Sequence, residues 1–222
     1  MAGFLEQEYY CLSPSPIFKG FDRICKTWFE VIKDYSGICE NKDAIYWYNE
    51  RASLSSFCAA LGRRGITFME EYSSVKGRME NEGKKSTLSR GRVDLCFFHN
   101  DSWYISEAKY FQRFFESNGR LEPALLPNAV FEEACRDAES SQKGYPDGHA
   151  LGLAFVTLGF QPKLHDNMDN LLAEFILTLK DLSGCDFWAY CAPKGLRELA
   201  SGGWRYPIVL LLGKIVREAG KA

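Results

Sequence analysis

Asp94, Glu107 and Lys109 stand at the spacing that a β-hairpin brings onto one face. If His99-Asn100-Asp101-Ser102 is a four-residue hairpin loop, Phe98 faces Trp103, and the register continues as Cys96 with Ile105, Asp94 with Glu107 and Arg92 with Lys109. Side chains two apart along a strand share a face, so this count sets two carboxylates opposite each other with an ammonium beside them. Like charges so opposed destabilise a sheet unless a cation or a proton compensates. A hard divalent cation is the natural compensator, since Mg²⁺ prefers oxygen ligands and is commonly held by one or two carboxylates plus water and phosphate. Such an ion polarises a phosphodiester and lowers the pKa of a bound water, while a neighbouring ammonium orients that water or stabilises the charge that develops. The trio therefore suits metal-assisted phosphodiester hydrolysis.

The pattern E-x-K is weak by itself, because the chain contains it three times, at Glu40-Asn41-Lys42, Glu82-Gly83-Lys84 and Glu107-Ala108-Lys109. The first two lie in polar, loop-like sequence. The third sits on an apolar strand directly after a strand that carries an aspartate, and that context does the discriminating.

The elements that must position these residues are read from periodicity. Phe21, Ile24, Cys25, Trp28, Val31, Ile32 and Tyr35 recur at helical spacing and stop before Gly37, and a second helical pattern covers about 44 to 62. Strands are expected over 66–72, 92–98 and 103–110, then a helix over 130–141, a buried strand over 150–160, a helix over 167–182 and a strand over 187–191. Residues 208–216 suit a strand, although their leucines fit a helix equally. The expected class is α/β with an antiparallel meander in the middle. Ser13 to Pro16 separates a short N-terminal tail from a folding unit running from residue 17 onward, and residues 1–222 are expected to form a single domain.

On these segments the sequence resembles the PD-(D/E)xK, or restriction-endonuclease-like, nuclease superfamily. The matching elements are Asn49-Glu50-Arg51 opening a helix, Glu70-Glu71-Tyr72 on a first strand, Gly91-Arg92-Val93-Asp94-Leu95 on a second and Ile105-Ser106-Glu107-Ala108-Lys109 on a third. The resemblance covers about residues 45–160 in element order. It implies an α-β-β-β-α-β core with a mixed central sheet flanked by helices, plus N- and C-terminal additions. It further implies Asp94 and Glu107 as Mg²⁺ ligands, with Mn²⁺ as a substitute, the Ala108 carbonyl as a third, Lys109 as the catalytic lysine and Glu50 as the accessory helix glutamate. Either Glu70 or Glu71 points at the site, depending on strand register, with Glu71 the one assigned to the metal. Nucleic acid, DNA foremost, is the implied partner, in a defence or repair setting. Val93 stands where the proline that names the motif would be.

Each residue also has a plainer reading. The trio could be a surface salt-bridge ladder, but its face continues through Cys96, Phe98, Trp103 and Ile105, where uncompensated charge is costly. Glu50 could be ordinary first-turn acidity favoured by the helix dipole. The stretch from Lys76 to Arg92, with six basic and two acidic residues, suits a phosphate-contacting flap or a solvated loop. Arg136 and Gln142 suit phosphate contact or a solvated helix face. His99, His149 and His165 have no partner at metal or nucleophile spacing, and no P-loop, GxSxG or GxGxxG signature is present.

With 222 residues, 46% of them hydrophobic, the chain can bury a sizeable core, and its formal charge of −2 argues against a general polyanion-coating protein. The eight cysteines form no CxxC pair and are expected to be reduced core thiols. The early glutamates and the missing basic-then-apolar opening argue against a secretory signal, and the longest apolar run, 206–213, is too short to span a bilayer. A cytoplasmic, membrane-free setting is expected, with a homodimer or protein partner left open. The competing functional class is a catalytically inactive protein of the same fold that binds nucleic acid or protein, supported by the acidic net charge and the many aromatics.

Overall fold

A computed structural model describes residues 7–78, 87–122, 126–145 and 147–220. The architecture is α/β. A mixed sheet runs in the order β1-β6-β8-β5-β4-β3-β2, with a two-residue β7 paired to β8. The strands are β1 (Tyr9–Leu12), β2 (Phe68–Arg78), β3 (Thr87–His99), β4 (Ser102–Phe114), β5 (Gly148–Phe160), β6 (Phe187–Cys191), β7 (Ala200–Ser201) and β8 (Trp204–Arg217). The helices are α1 (Phe21–Ile38), α2 (Glu50–Arg63), α3 (Ala129–Gln142) and α4 (Met168–Thr178). Strands β2, β3 and β4 form the expected antiparallel meander, and α3 is the crossover that lets β5 run parallel to β4.

The strands alternate their apolar residues between two cores. Leu151, Leu153 and Phe155 of β5, Phe187 and Ala189 of β6, and Val209 and Leu211 of β8 join α1 and α2 on one face. Their neighbours Ala154, Val156, Trp188, Tyr190, Leu210 and Leu212 join α3 and α4 on the other. This period of two over both cores makes β8 a strand throughout, so the helical alternative for its leucines falls away.

Local chemistry fixes the helix starts that matter. Asn49 caps α2 by accepting the Ala52 N–H at 2.9 Å, and Asn128 caps α3 by accepting the Val130 and Phe131 N–H groups at 3.0 Å each. The helix expected from residue 44 thus begins at Glu50, after a separate 3-10 turn over Ile45–Trp47. On β5, a Cβ at Gly152 would stand 2.6 Å from Cys135 Sγ and 2.9 Å from its Cα, so α3 lies directly on the strand backbone there.

Two further expectations are corrected. The N-terminal tail belongs to the sheet: Tyr9–Leu12 pairs antiparallel with β6, which has a free edge to accept it. The segment 167–182 is shorter as a helix, with 3-10 turns on either side of α4. All eight cysteines are free, and among the described residues no helix is long and apolar enough to cross a membrane.

Candidate active site

The hairpin between β3 and β4 has the expected register but a tighter turn. Cys96 pairs with Ile105 and Phe98 with Trp103, and the ladder continues to His99 with Ser102, leaving a two-residue turn. Asn100 and Asp101 have φ of 50° and 59°, the left-handed pair that a type I′ turn requires.

In the other direction the ladder ends at Leu95 with Ser106. Asp94 and Glu107 are therefore not opposed ladder partners, and Arg92 is not opposite Lys109. Beyond this point β3 stays with β2, while β4 stays with β5 through Phe114. The two strands fork. Forking leaves β4 amides without the strand that would have accepted from them, and at Ala108 a carboxylate takes its place. Asp94 Oδ2 accepts the Ala108 N–H at 2.9 Å, and the Glu50 carboxyl, at the start of α2, lies near the Tyr110 backbone amide. Asp94 and Glu50 thus meet in one crevice of about 50 Å³, lined also by Arg51, Leu54, Ser55, Glu70 and Glu71.

Glu107 and Lys109 project toward α3. Glu107 is 3% exposed, and its Oε1 accepts the Ser141 hydroxyl at 2.6 Å. Lys109 Nζ lies 3.5 Å from Glu133 Oε1 and 3.5 Å from Asp137 Oδ2. Glu133, Asp137 and Ser141 are successive residues of one i, i+4 ridge, rising about 6 Å per step against roughly 6.7 Å for two residues of strand. This near match lets one helix ridge serve both strand residues. None of the three was anticipated, although their spacing of four is visible in the sequence.

Charge is unevenly distributed. Burial pulls the Lys109 ammonium down, but Glu50, Asp137, Glu133 and Asp94 outweigh it and raise its pKa above the ordinary lysine value. Burial lifts the Glu50 carboxyl, Lys109 opposes that, Asp94 lifts it again, and the result is a raised pKa. One ammonium thus faces four carboxylates, two of them on α3.

Glu71, the strand residue expected at the metal, lines the crevice with Asp94. It stands across from Asp94 where the β2–β3 ladder skips a pair, with φ of 48°. Its Oε1 pairs with Arg51, and its Oε2 is 2.7 Å from Arg92 Nη1. Glu70 is exposed and lies beside Cys58 of α2.

Gln142 is 2% exposed and donates to the Gly148 carbonyl at 2.8 Å, so it belongs to the α3–β5 junction and not to a phosphate contact. Arg136 is exposed on α3. His99 contacts the Lys19 carbonyl, His149 accepts the Ala219 N–H, and His165 contacts the Phe160 carbonyl. In the expected flap, residues 76–78 pair with 87–89 as the end of the β2–β3 hairpin, and 79–86, including the Glu82-Gly83-Lys84 match, lie outside the described residues.

Comparison with known proteins found no matching family model, no matching curated protein and no matching solved structure. Among the described residues no three His, Cys, Asp or Glu side chains form a ready-made metal cluster. Asp94 and Glu107 stand on either side of the Ala108 N–H, one bonded to it and the other preceding it in the chain, and Mg²⁺ needs only one or two carboxylates when water and phosphate complete its shell.

Proposed function

We propose that the protein is a Mg²⁺-dependent nuclease of the restriction-endonuclease-like, PD-(D/E)xK kind, acting on phosphodiester bonds in DNA. The observation that carries this reading is the fork: Asp94 bound to the Ala108 N–H, Glu107 immediately before that peptide, and Lys109 immediately after it. The order α2-β2-β3-β4-α3-β5 supports a restriction-endonuclease-like core.

Asp94 and Glu107 would hold the cation, with the Ala108 carbonyl as the third donor that the family resemblance implies. When bound there, Mg²⁺, or Mn²⁺ in its place, supplies Lewis acidity to a phosphodiester and acidity to a water. Lys109 is kept protonated by its carboxylate neighbours, so it acts as a fixed cation that orients a water oxygen or stabilises developing phosphoryl charge, and not as a general base. Glu50, which lines the crevice with Asp94, would add a second carboxylate beside the cation, the accessory role that the family resemblance implies.

A second reading, a non-catalytic module of the same fold, draws on Glu107, which is 3% exposed and has Oε1 on Ser141. Cleavage of labelled single- and double-stranded DNA in Mg²⁺ and Mn²⁺ separates the two. The nuclease reading expects cleavage that is lost in EDTA, in Asp94→Asn and in Lys109→Met while the fold survives. Cleavage unchanged in both variants contradicts it, and cation-dependent binding without cleavage selects the second.

A further inference from the structure

Among the described residues, Glu71 is the only non-glycine residue within a strand that has positive φ, at 48°. L residues rarely adopt this conformation, and such strain gathers at functional positions. Its consequence here is directional, since the kink breaks the β2–β3 ladder opposite Asp94 and turns the Glu71 carboxylate onto two guanidinium groups. Arg51 follows Glu50 directly, and Arg92 lies two residues before Asp94.

These arginines are rim groups. Each side chain is 63% exposed, whereas Glu71 between them is 29% exposed. Two guanidiniums on one carboxylate leave a net positive charge, and each guanidinium carries five N–H donors, more than one carboxylate oxygen occupies. The crevice beside them is acidic, through Asp94 and Glu50, and would repel a polyanion unless positive groups met it at the edge. Planar guanidinium forks match phosphate oxygens bidentately.

We infer that Arg51 and Arg92 form a clamp for a backbone phosphate of a nucleic-acid strand crossing the crevice, and that Glu71 is a positioning residue that aims them rather than a metal ligand. This inference rests on the nuclease reading above for the identity of the polymer.

The test is oligonucleotide binding by fluorescence anisotropy in EDTA at several salt concentrations, joined to Mg²⁺-dependent kinetics. Arg51→Ala and Arg92→Ala, each checked for a wild-type thermal melt, are expected to weaken binding about tenfold and to lower the salt slope by about one each. In kinetics their loss falls on KM more than on kcat. Arg51→Lys and Arg92→Lys keep the salt slope and regain part of the affinity. Glu71→Gln raises KM several-fold and leaves the Mg²⁺ concentration for half-activation where it was. Wild-type affinity and slope in both alanine variants overturn the clamp, as does failure of the wild-type protein to bind oligonucleotide. A tenfold rise in the Mg²⁺ requirement of Glu71→Gln overturns the positioning role. The two readings fail separately: if Asp94→Asn abolishes cleavage while the arginine variants bind normally, the clamp alone falls. Arginine-dependent binding by a protein that never cleaves removes the nuclease reading and keeps the clamp.

Discussion

Asp94 and Ala108 are joined across the point where β3 and β4 part, the Asp94 Oδ2 accepting the Ala108 N–H at 2.9 Å. The bond does for β4 what the missing stretch of ladder would have done, and on the proposed nuclease reading the other Asp94 oxygen would take the cation. Asp94→Asn retains an oxygen acceptor for Ala108 and is expected to keep stability within about 1 kcal/mol, whereas Asp94→Ala orphans the amide and costs roughly 1–3 kcal/mol. Both lose cleavage. Urea denaturation alongside rate measurement separates the structural share of Asp94 from its chemical one.

Ser141 is expected to act through Glu107. Its hydroxyl donates to Oε1 at 2.6 Å, so Ser141→Ala leaves a buried carboxylate short of a donor. The loss of an outer-shell partner of this kind typically lowers metal affinity or activity by about 10- to 100-fold. A raised Mg²⁺ requirement in Ser141→Ala, restored in Ser141→Thr, is the predicted result. An unchanged requirement would place Glu107 outside the metal site.

The titration of the crevice has a definite sign. The Glu50 carboxyl is raised in the folded protein, by burial first and then, against Lys109, by Asp94. Its ionised form therefore disfavours folding above its folded pKa, and stability from this group is gained as pH falls through that value, the reverse of an ion-paired carboxylate. Glu50→Gln is expected to leave the thermal midpoint equal to or slightly above wild type at neutral pH without metal, and below it once Mg²⁺ is added. Lys109 is raised, so its contribution is complete below the unfolded lysine value and fades only as pH climbs through the folded one. Lys109→Met should accordingly be less stable than wild type at pH 7, with the difference narrowing only in strong alkali. Calorimetry across pH, with and without Mg²⁺, checks both.

Position 71 inverts the usual strand preference. Because its φ is 48°, glycine relieves the backbone there while valine does not. Glu71→Gly is expected to be more stable than Glu71→Val by about 1–2 kcal/mol, opposite to the order found at ordinary strand positions. Urea melts of the two variants decide it.

Much of this was legible in the sequence, and the illegible part has common physical causes. The β3–β4 register follows from alternation and a short polar turn, so Cys96 with Ile105 and Phe98 with Trp103 were readable, as were the helices whose apolar faces recur at helical spacing. Where a ladder stops is not periodic. It depends on β4 having a second partner in β5 and on Asp94 reaching the Ala108 amide, so counting onward put Asp94 opposite Glu107. Glu133 and Asp137 carry no signal in the sequence, because acidic residues one turn apart on an exposed helix face usually meet only water, and Lys109 becomes their neighbour only after α3 packs down at Gly152. Tyr9–Leu12 reads as a tail in the sequence because its partner strand lies near residue 190. The turn of Glu71 onto Arg51 and Arg92 rests on a left-handed glutamate, which side-chain preference gives no means of foreseeing.

The most direct measurement is anomalous diffraction from crystals soaked in Mn²⁺. The predicted result is a single strong peak at the fork, within coordination distance of Asp94 and Glu107 and absent in Asp94→Asn. A map with no peak there at saturating Mn²⁺, or with the ion bound elsewhere while Asp94 and Glu107 keep their bonds to Ala108 and Ser141, would contradict it.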